Sequence, residues 1–427
     1  RVVVSVIDSG INPYHDFYNA GGELYPTAAP SSVTQDVLDA FGIDEAHTIH
    51  LTRTGDFAAD FAADAAVWAS VQPGELYWFA GTNVMAISYD PGSRILLPDD
   101  EDDTHGVGTS AAVLRANPDA IVVFVEGITD ASETFAFTHP EIDIVSTSYG
   151  AIGSLPLPYH INNSYLGVVT NGKLHIGAAD NSPSTAIQDG TAGPWWSIGV
   201  AGFEEGTSNG RQLLSGTLPD VVGDFTQTLP YCAECESGQQ SASGTSFATP
   251  RTAGTISKVL LDARRAAGHT GGITDVDGTP VMVAGPSGTI TNWEIRRAME
   301  EAAYVPTLTE YDPVEGVFDQ LALPVPEQAA FALVGWGVVS PDLGVVEETL
   351  AQLGVSGTPR APKGAPTCTF MESLVTARHL YWDNLAVESE SFLIGDEDPY
   401  LYCSQTGNSA KSGDLVSEQA EAAFGLE

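Results

Sequence analysis

Val2-Val3-Val4-Ser5-Val6-Ile7 is an almost unbroken apolar run that stops at Asp8-Ser9-Gly10. Such a run predicts a strand covered on both faces, as in a parallel sheet, with a carboxylate at its carboxyl end. Ala120–Val125, Ile142–Val145, Leu174–Ala179 and Trp195–Ala201 repeat the pattern, and some of the intervening segments are long enough for crossover helices. Helical spacing marks Thr252–Ala267 and Thr291–Ala303, and a run of small residues from Ser110 to Leu114 reads as a further helix. Alternating strand and helix predict an α/β fold: a doubly wound, mostly parallel sheet flanked by helices, with right-handed crossovers.

Two regions depart from that rhythm. Residues 21–98 mix Ala-rich helical stretches such as Phe57–Ser70 with short strands such as Met85–Tyr89. They are expected to form a long insertion, a surface elaboration packed on the main sheet. Near the other end, Phe331–Val339 reads as a final return to the core. The Pro/Gly-rich stretch Ser356–Pro366 then reads as a linker into a C-terminal extension. The expected division is a main domain over 1–352 and a linker plus extension over 353–427. Thr274–Thr279 is an acidic turn between apolar stretches, read as a hairpin tip.

The balance of 16 basic against 56 acidic residues, net −40, changes the picture of partners. Such a surface repels phosphate, which excludes nucleic acid, and attracts cations. With 43% hydrophobic and 17% charged residues the composition is globular, and no apolar run reaches the twenty or so residues that span a membrane. A soluble, monomeric, extracellular protein is expected, and a salt-rich habitat is one explanation of the charge. The first strand begins directly after Arg1, as in a chain whose leader and any pro-segment have been removed or one that belongs to a longer precursor.

Four cysteines allow three pairings, of which Cys232–Cys235 and Cys368–Cys403 are the simplest, and both fit an oxidising compartment. A zinc site at the C-x-x-C lacks a second Cys or His pair. A thioredoxin-like role lacks the strand-to-helix setting, because Tyr231–Glu236 lies in a polar, Gly-rich approach to Ser246.

Three positions bear on chemistry. Gly244-Thr245-Ser246-Phe247-Ala248-Thr249-Pro250 puts a serine at a helix entrance, where unpaired amides and the dipole favour an oxyanion. An ordinary helix cap has the same look. Asp102-Asp103-Thr104-His105-Gly106 puts a histidine at the start of the small-residue helix, although any one of nine histidines can serve as a plain turn residue. Asp8 ends the first strand, where open parallel sheets form their sites, and where turn-forming aspartates are also common.

The order Asp, His, Ser differs from the Ser, Asp, His order of α/β-hydrolases and is that of subtilisin. Val6-Ile7-Asp8-Ser9-Gly10-Ile11, Asp103-Thr104-His105-Gly106-Val107-Gly108-Thr109 and Ser243-Gly244-Thr245-Ser246-Phe247-Ala248-Thr249-Pro250 together resemble the three signature segments of the subtilisin-like serine proteases. The resemblance runs from Val2 to about Pro341, including Asn292–Arg297 and Val334–Val338. It implies a subtilisin-like fold and a secreted serine endopeptidase with Asp8, His105 and Ser246 as its triad. Asn181 would be the side-chain donor of the oxyanion hole. Protein or peptide substrates would add as a strand beside Ser148-Tyr149-Gly150, and Asp103 would border the subsites before the scissile bond, with a preference for basic side chains. The chemistry requires no cofactor. A structural calcium is compatible with Asp275 and Asp277, but these lack the remaining ligands of a loop site and no metal is assigned. Departures from the family pattern are Val107 in place of a threonine, Asp180 in place of a glycine, the long insertion, and the absence of residues before the first strand. An inactive binding scaffold and a non-peptidase esterase are the competing readings. Intact Asp, His and Ser argue against the first, and residue order with an incomplete Gly-x-Ser-x-Gly at 244–248 against the second.

Overall fold

In the computed structural model, the residues described are 1–150, 157–179, 181, 190–204, 211–215, 219–269, 274–276, 279–285, 288–304, 311–313, 334–361 and 363. The run after Arg1 forms β1, Val3–Asp8, buried along its whole length. In chain order the other strands of the main sheet begin with β2 (Thr48–Ile49), β3 (Tyr77–Phe79), β4 (Val84–Ser88), β5 (Ile121–Glu126) and β6 (Ile144–Thr147). They continue with β7 (Leu174–Ala178), β8 (Ile198–Glu204), β9 (Arg211–Ser215) and β10 (Val221–Asp224). Three hairpins follow: β11 (Thr226–Leu229) with β12 (Gln240–Ser243), β13 (Thr274–Val276) with β14 (Thr279–Val281), and β15 (Val283–Gly285) with β16 (Gly288–Ile290). Strands β13 and β14 pair antiparallel, from Thr274 opposite Val281 to Val276 opposite Thr279, which puts Asp275 in β13, while Asp277 lies outside the described residues. Strand β17 (Tyr311–Pro313) joins the main sheet, which among the described residues has 11 strands in the order β17-β9-β8-β7-β6-β1-β5-β4-β3-β2, with β10 also beside β8. Of its pairings only β3–β4 and β8–β9 are antiparallel among the described residues.

The α-helices among the described residues are α1 (Gln35–Phe41), α2 (Phe57–Ala63), α3 (Ala65–Trp68), α4 (His105–Ala116), α5 (Asp130–Thr138), α6 (Pro158–Tyr165), α7 (Thr245–Ala267), α8 (Asn292–Ala302) and α9 (Val345–Gln352). Side chains alternate across a strand, and β1 shows where each face goes. Val4 and Val6 pack with Val113 and Leu114 of α4 and with Ile256 and Leu260 of α7. Val3 and Ile7 pack with Phe137 of α5 and with Val37, Leu38 and Phe41 of α1. Covered on both faces, the strand is apolar at successive positions, and the sheet is doubly wound.

Residues 21–98 contribute strands to the main sheet itself. Their strand β4 pairs in parallel with β5, from Val84 opposite Val122 to Ser88 opposite Glu126, and β3 and β2 extend the sheet beyond it. The backbone groups of β5 would otherwise form an open edge, and β4 satisfies them.

Two fastenings tie distant parts together. The buried Asp143 carboxylate takes a bidentate pair from Arg264 at 2.6 and 2.9 Å and also accepts the Val3 amide at 2.9 Å. This bolts the start of β1 to the end of α7. At the other extremity the expected linker is held to the domain through Lys363. The Arg360 amide donates to Glu348 at 2.8 Å and its guanidinium to the Ala302 carbonyl at 2.8 Å. Lys363 Nζ donates to the carbonyls of Glu300 and Trp336, beside the Trp336 ring at 5.6 Å. Cys368 and Cys403 lie outside the described residues.

Candidate active site

Asp8 closes β1 at the centre of the sheet, where the strand order turns back on either side of it. Its carboxylate is 4% exposed and fully occupied. The Ser9 amide donates to Oδ1 at 2.8 Å and the Thr109 hydroxyl to Oδ2 at 2.9 Å. His105 Nδ1 is 2.9 Å from both oxygens. A carboxylate only accepts, so Nδ1 carries the proton and Nε2 keeps its lone pair. The Asp8 charge raises the His105 pKa above the ordinary 6.5, partly opposed by burial and reinforced by the hydrogen bond.

His105 is the first residue of α4, as its sequence setting predicts. The helix must come close to the chain leaving β1: a Cβ on Gly106 would run into the Gly10 carbonyl and lie 2.9 Å from the Phe124 ring. Further along, α4 packs on α7, where a Cβ on Gly254 would sit 2.5 Å from the Val113 carbonyl. Small residues at these points let the two helices meet.

Ser246 lies in the first turn of α7, half-buried. Gly244 before it has φ 150°, a conformation that favours glycine. The Phe247 and Ala248 amides return to the Gly244 carbonyl at 3.0 and 3.2 Å, and the Thr245 amide donates to Asn181 Oδ1 at 2.8 Å. Among the described residues the Ser246 amide alone of these has no acceptor, at the positive end of a 23-residue helix. Phe247 packs against the His105 ring at 5.6 Å, which places the nucleophile candidate's neighbour on the imidazole.

Asn181 is brought to the same place. Its Oδ1 accepts the Thr245 amide, so its NH2 group is the end left to donate. Asp180 lies outside the described residues. Ser148 is also drawn in, its hydroxyl donating to the Ser246 carbonyl at 2.9 Å. Tyr149 is held from below, its hydroxyl donating to buried Glu133 at 2.6 Å, and burial with the Glu133 charge pushes its pKa well up. Gly150 is exposed beyond it. Asp103 faces its own loop, with Oδ2 accepting the Asp99 amide at 3.1 Å and its carbonyl accepting the Ser9 hydroxyl at 3.1 Å.

The sequence reading did not single out Thr109, Phe247 or Glu126. Thr109 had a signal, since it stands four residues after His105 on the same helix face. Glu126 had one too: in register it pairs with Asp8 across β1 and β5, so the two carboxyls end adjacent strands. Burial pushes Glu126 up to about 7, with Asp103 and Asp99 adding repulsion and with the Leu96 amide as an opposing donor. That amide, at 2.9 Å, belongs to the one non-glycine residue of positive φ among the described residues, at 69°.

Cys232 and Cys235 form a disulfide. With His15 they are the one group of three metal-ligand side chains brought together among the described residues. Both sulfurs are spent in the bond, however. His15 is equally engaged, with Nε2 on the Gly238 carbonyl at 2.7 Å and Nδ1 accepting the Phe17 amide at 3.0 Å. No described helix is long and apolar enough to cross a membrane.

The fold and site together define an α/β protein with a carboxylate–imidazole pair at the head of one helix and a serine at the head of another. No protein-family model and no curated protein matches the chain. Among solved structures it is similar to a lanthipeptide protease, with 12% identity and TM-score 0.46 over 81% of this chain and 86% of that one. It is also similar to a mutant form of the protease domain of PatA, with 13% identity and TM-score 0.45 over 83% and 96%. A third is fervidolysin from Fervidobacterium pennivorans, a keratinolytic enzyme related to subtilisin, with 14% identity and TM-score 0.43 over 81% and 42%. At these values the functional reading rests on the geometry of this chain itself.

Proposed function

We propose that the chain is a secreted serine endopeptidase of subtilisin-like type, cleaving peptide bonds through an acyl-enzyme. The observation that carries the reading is the double contact of Asp8 with His105 Nδ1 at 2.9 Å, which leaves Nε2 as the basic nitrogen. His105 then takes the proton of Ser246 as its oxygen attacks the carbonyl, and returns it to the departing amine. Asp8 fixes the tautomer and stabilises the imidazolium. The Ser246 amide and the Asn181 NH2 group are suited to receive the oxyanion. A substrate strand running beside Ser148–Gly150 would gain main-chain bonds. The Cys232–Cys235 disulfide supports an oxidising compartment.

The test is labelling by a serine-directed phosphonate together with casein hydrolysis, for wild type and Ser246→Ala. Labelling and hydrolysis that both vanish in the variant support the reading. Labelling without casein cleavage would assign an esterase, and no labelling a binding scaffold.

A further inference from the structure

Ser148 and Asn181 follow β6 and β7, on one side of β1. On the other side, beyond His105, the disulfide loop is tied down by Asn12, whose Nδ2 donates to the Cys235 carbonyl at 2.7 Å, and by Glu101, whose Oε1 accepts the Ala233 amide at 3.3 Å. A cavity of about 240 Å³ opens there, lined among others by Glu101, Tyr231, the Cys232–Cys235 bridge, Ser237 and Gln240. Two ring contacts connect it to the site: Tyr231 meets Phe247 edge-on at 5.7 Å, and Phe247 meets His105 at 5.6 Å.

The size and chemistry of the cavity narrow its occupant. Its volume falls below the roughly 300–1,000 Å³ of sites that take whole small ligands, so one side chain fits. Among the described residues its only charged lining group is Glu101, which is exposed and whose Oε2 has no protein partner there. Arg94, seven residues earlier in the chain, is paired with Glu234 at 2.5 Å and does not line the cavity. Gln240 donates its NH2 group to the Tyr231 carbonyl at 2.6 Å, which leaves its Oε1 as an acceptor.

Resting on the peptidase reading, in which His105 delivers a proton to the leaving amine, the departing segment lies on the His105 side of Ser246. We infer that this cavity is a leaving-side subsite that selects lysine or arginine at the first or second position after the scissile bond. Glu101 is its specificity-determining residue.

The experiment compares fluorogenic peptides identical up to the scissile bond and carrying Arg, Lys, Gln, Ala or Glu at the two positions after it. Wild type should favour Arg and Lys over Ala by about fivefold in kcat/KM, the size of a partly exposed ion pair, with Glu disfavoured. In Glu101→Gln, which keeps an acceptor for the Ala233 amide, the Arg-to-Ala ratio should fall to about one. In Ser237→Trp, which fills the cavity, long side chains of either kind should lose against Ala. Ser246-dependent cleavage with equal rates for Arg and Ala, or an unchanged ratio in Glu101→Gln, overturns the subsite and leaves the peptidase reading standing. No Ser246-dependent cleavage of any peptide overturns both.

Discussion

The Thr109 hydroxyl donates to Asp8 Oδ2 at 2.9 Å from one turn beyond His105, so one helix supplies both the imidazole and a second donor to the same carboxylate. Thr109→Val keeps the shape and removes the donor. The buried oxygen then loses a bond worth about 1–2 kcal/mol, and kcat/KM is expected to fall roughly tenfold. The kcat value should carry most of the loss, because the bond orients the base rather than holding substrate. An unchanged kcat would show that Asp8 is held without it.

The His105 pKa is raised, chiefly by the Asp8 charge. The imidazole must be neutral to accept a proton, so activity should fall as pH drops through a value above the ordinary 6.5. In stability the sign is opposite: the imidazolium–Asp8 attraction is fully present below 6.5 and is lost as pH rises through the folded value. Asp8→Asn should move the acid limb down and lower kcat by roughly ten-thousandfold, as when such a carboxylate becomes an amide. A wild-type limb at or below 6.5 would contradict the coupling.

Asn181→Ala removes the proposed oxyanion donor and also the acceptor that holds the Thr245 amide. Turnover should fall roughly a hundredfold or more, with KM little changed. Asn181→Asp keeps the acceptor and still lacks the donor, so it should be as slow as the alanine variant. Recovery in the aspartate variant would show that the acceptor alone matters.

The carboxyl of Glu126 is pushed from 4.5 to about 7 by burial. The folded protein holds this proton between those values and the unfolded chain does not, so its contribution to stability is present below 4.5 and lost as pH rises to about 7. The full change is about 3 kcal/mol. Glu126→Gln retains an acceptor for the Leu96 amide and should flatten this slope, gaining on wild type between about pH 5 and pH 8 in denaturant titrations. Parallel curves for the two proteins would refute the assignment.

At Gly254 the space for a side chain is taken by Val113 and by Ala116, whose Cβ would be 2.8 Å away. Gly254→Ala should force α4 from α7 and destabilise by about 2 kcal/mol. Because α4 carries His105 and α7 carries Ser246, kcat should fall as well, although neither residue is touched. A stability loss with normal kcat would mean that the helices yield elsewhere.

What was legible in the sequence follows from burial. The core strands announce themselves because both faces are covered, and the Asp8, His105 and Ser246 settings are local, each written within a few neighbouring residues. Strand β4 was read near its place, but not its pairing with β5, since register depends on residues some forty positions apart. The link between Lys363 and Trp336 was hidden for a different reason: a Pro/Gly-rich composition describes chain stiffness and says nothing about a lysine that finds two carbonyls. Glu126 looked like the end of an apolar run, and only the alignment of strand ends reveals it beside Asp8.

The bolt between Asp143, Val3 and Arg264 also sets an order in time. The strand that carries Asp8 is anchored, through Asp143, to the far end of the helix whose first turn holds Ser246. During synthesis that strand emerges well before this arginine, so the bridge from Val3 through Asp143 is complete only once residue 264 has been made.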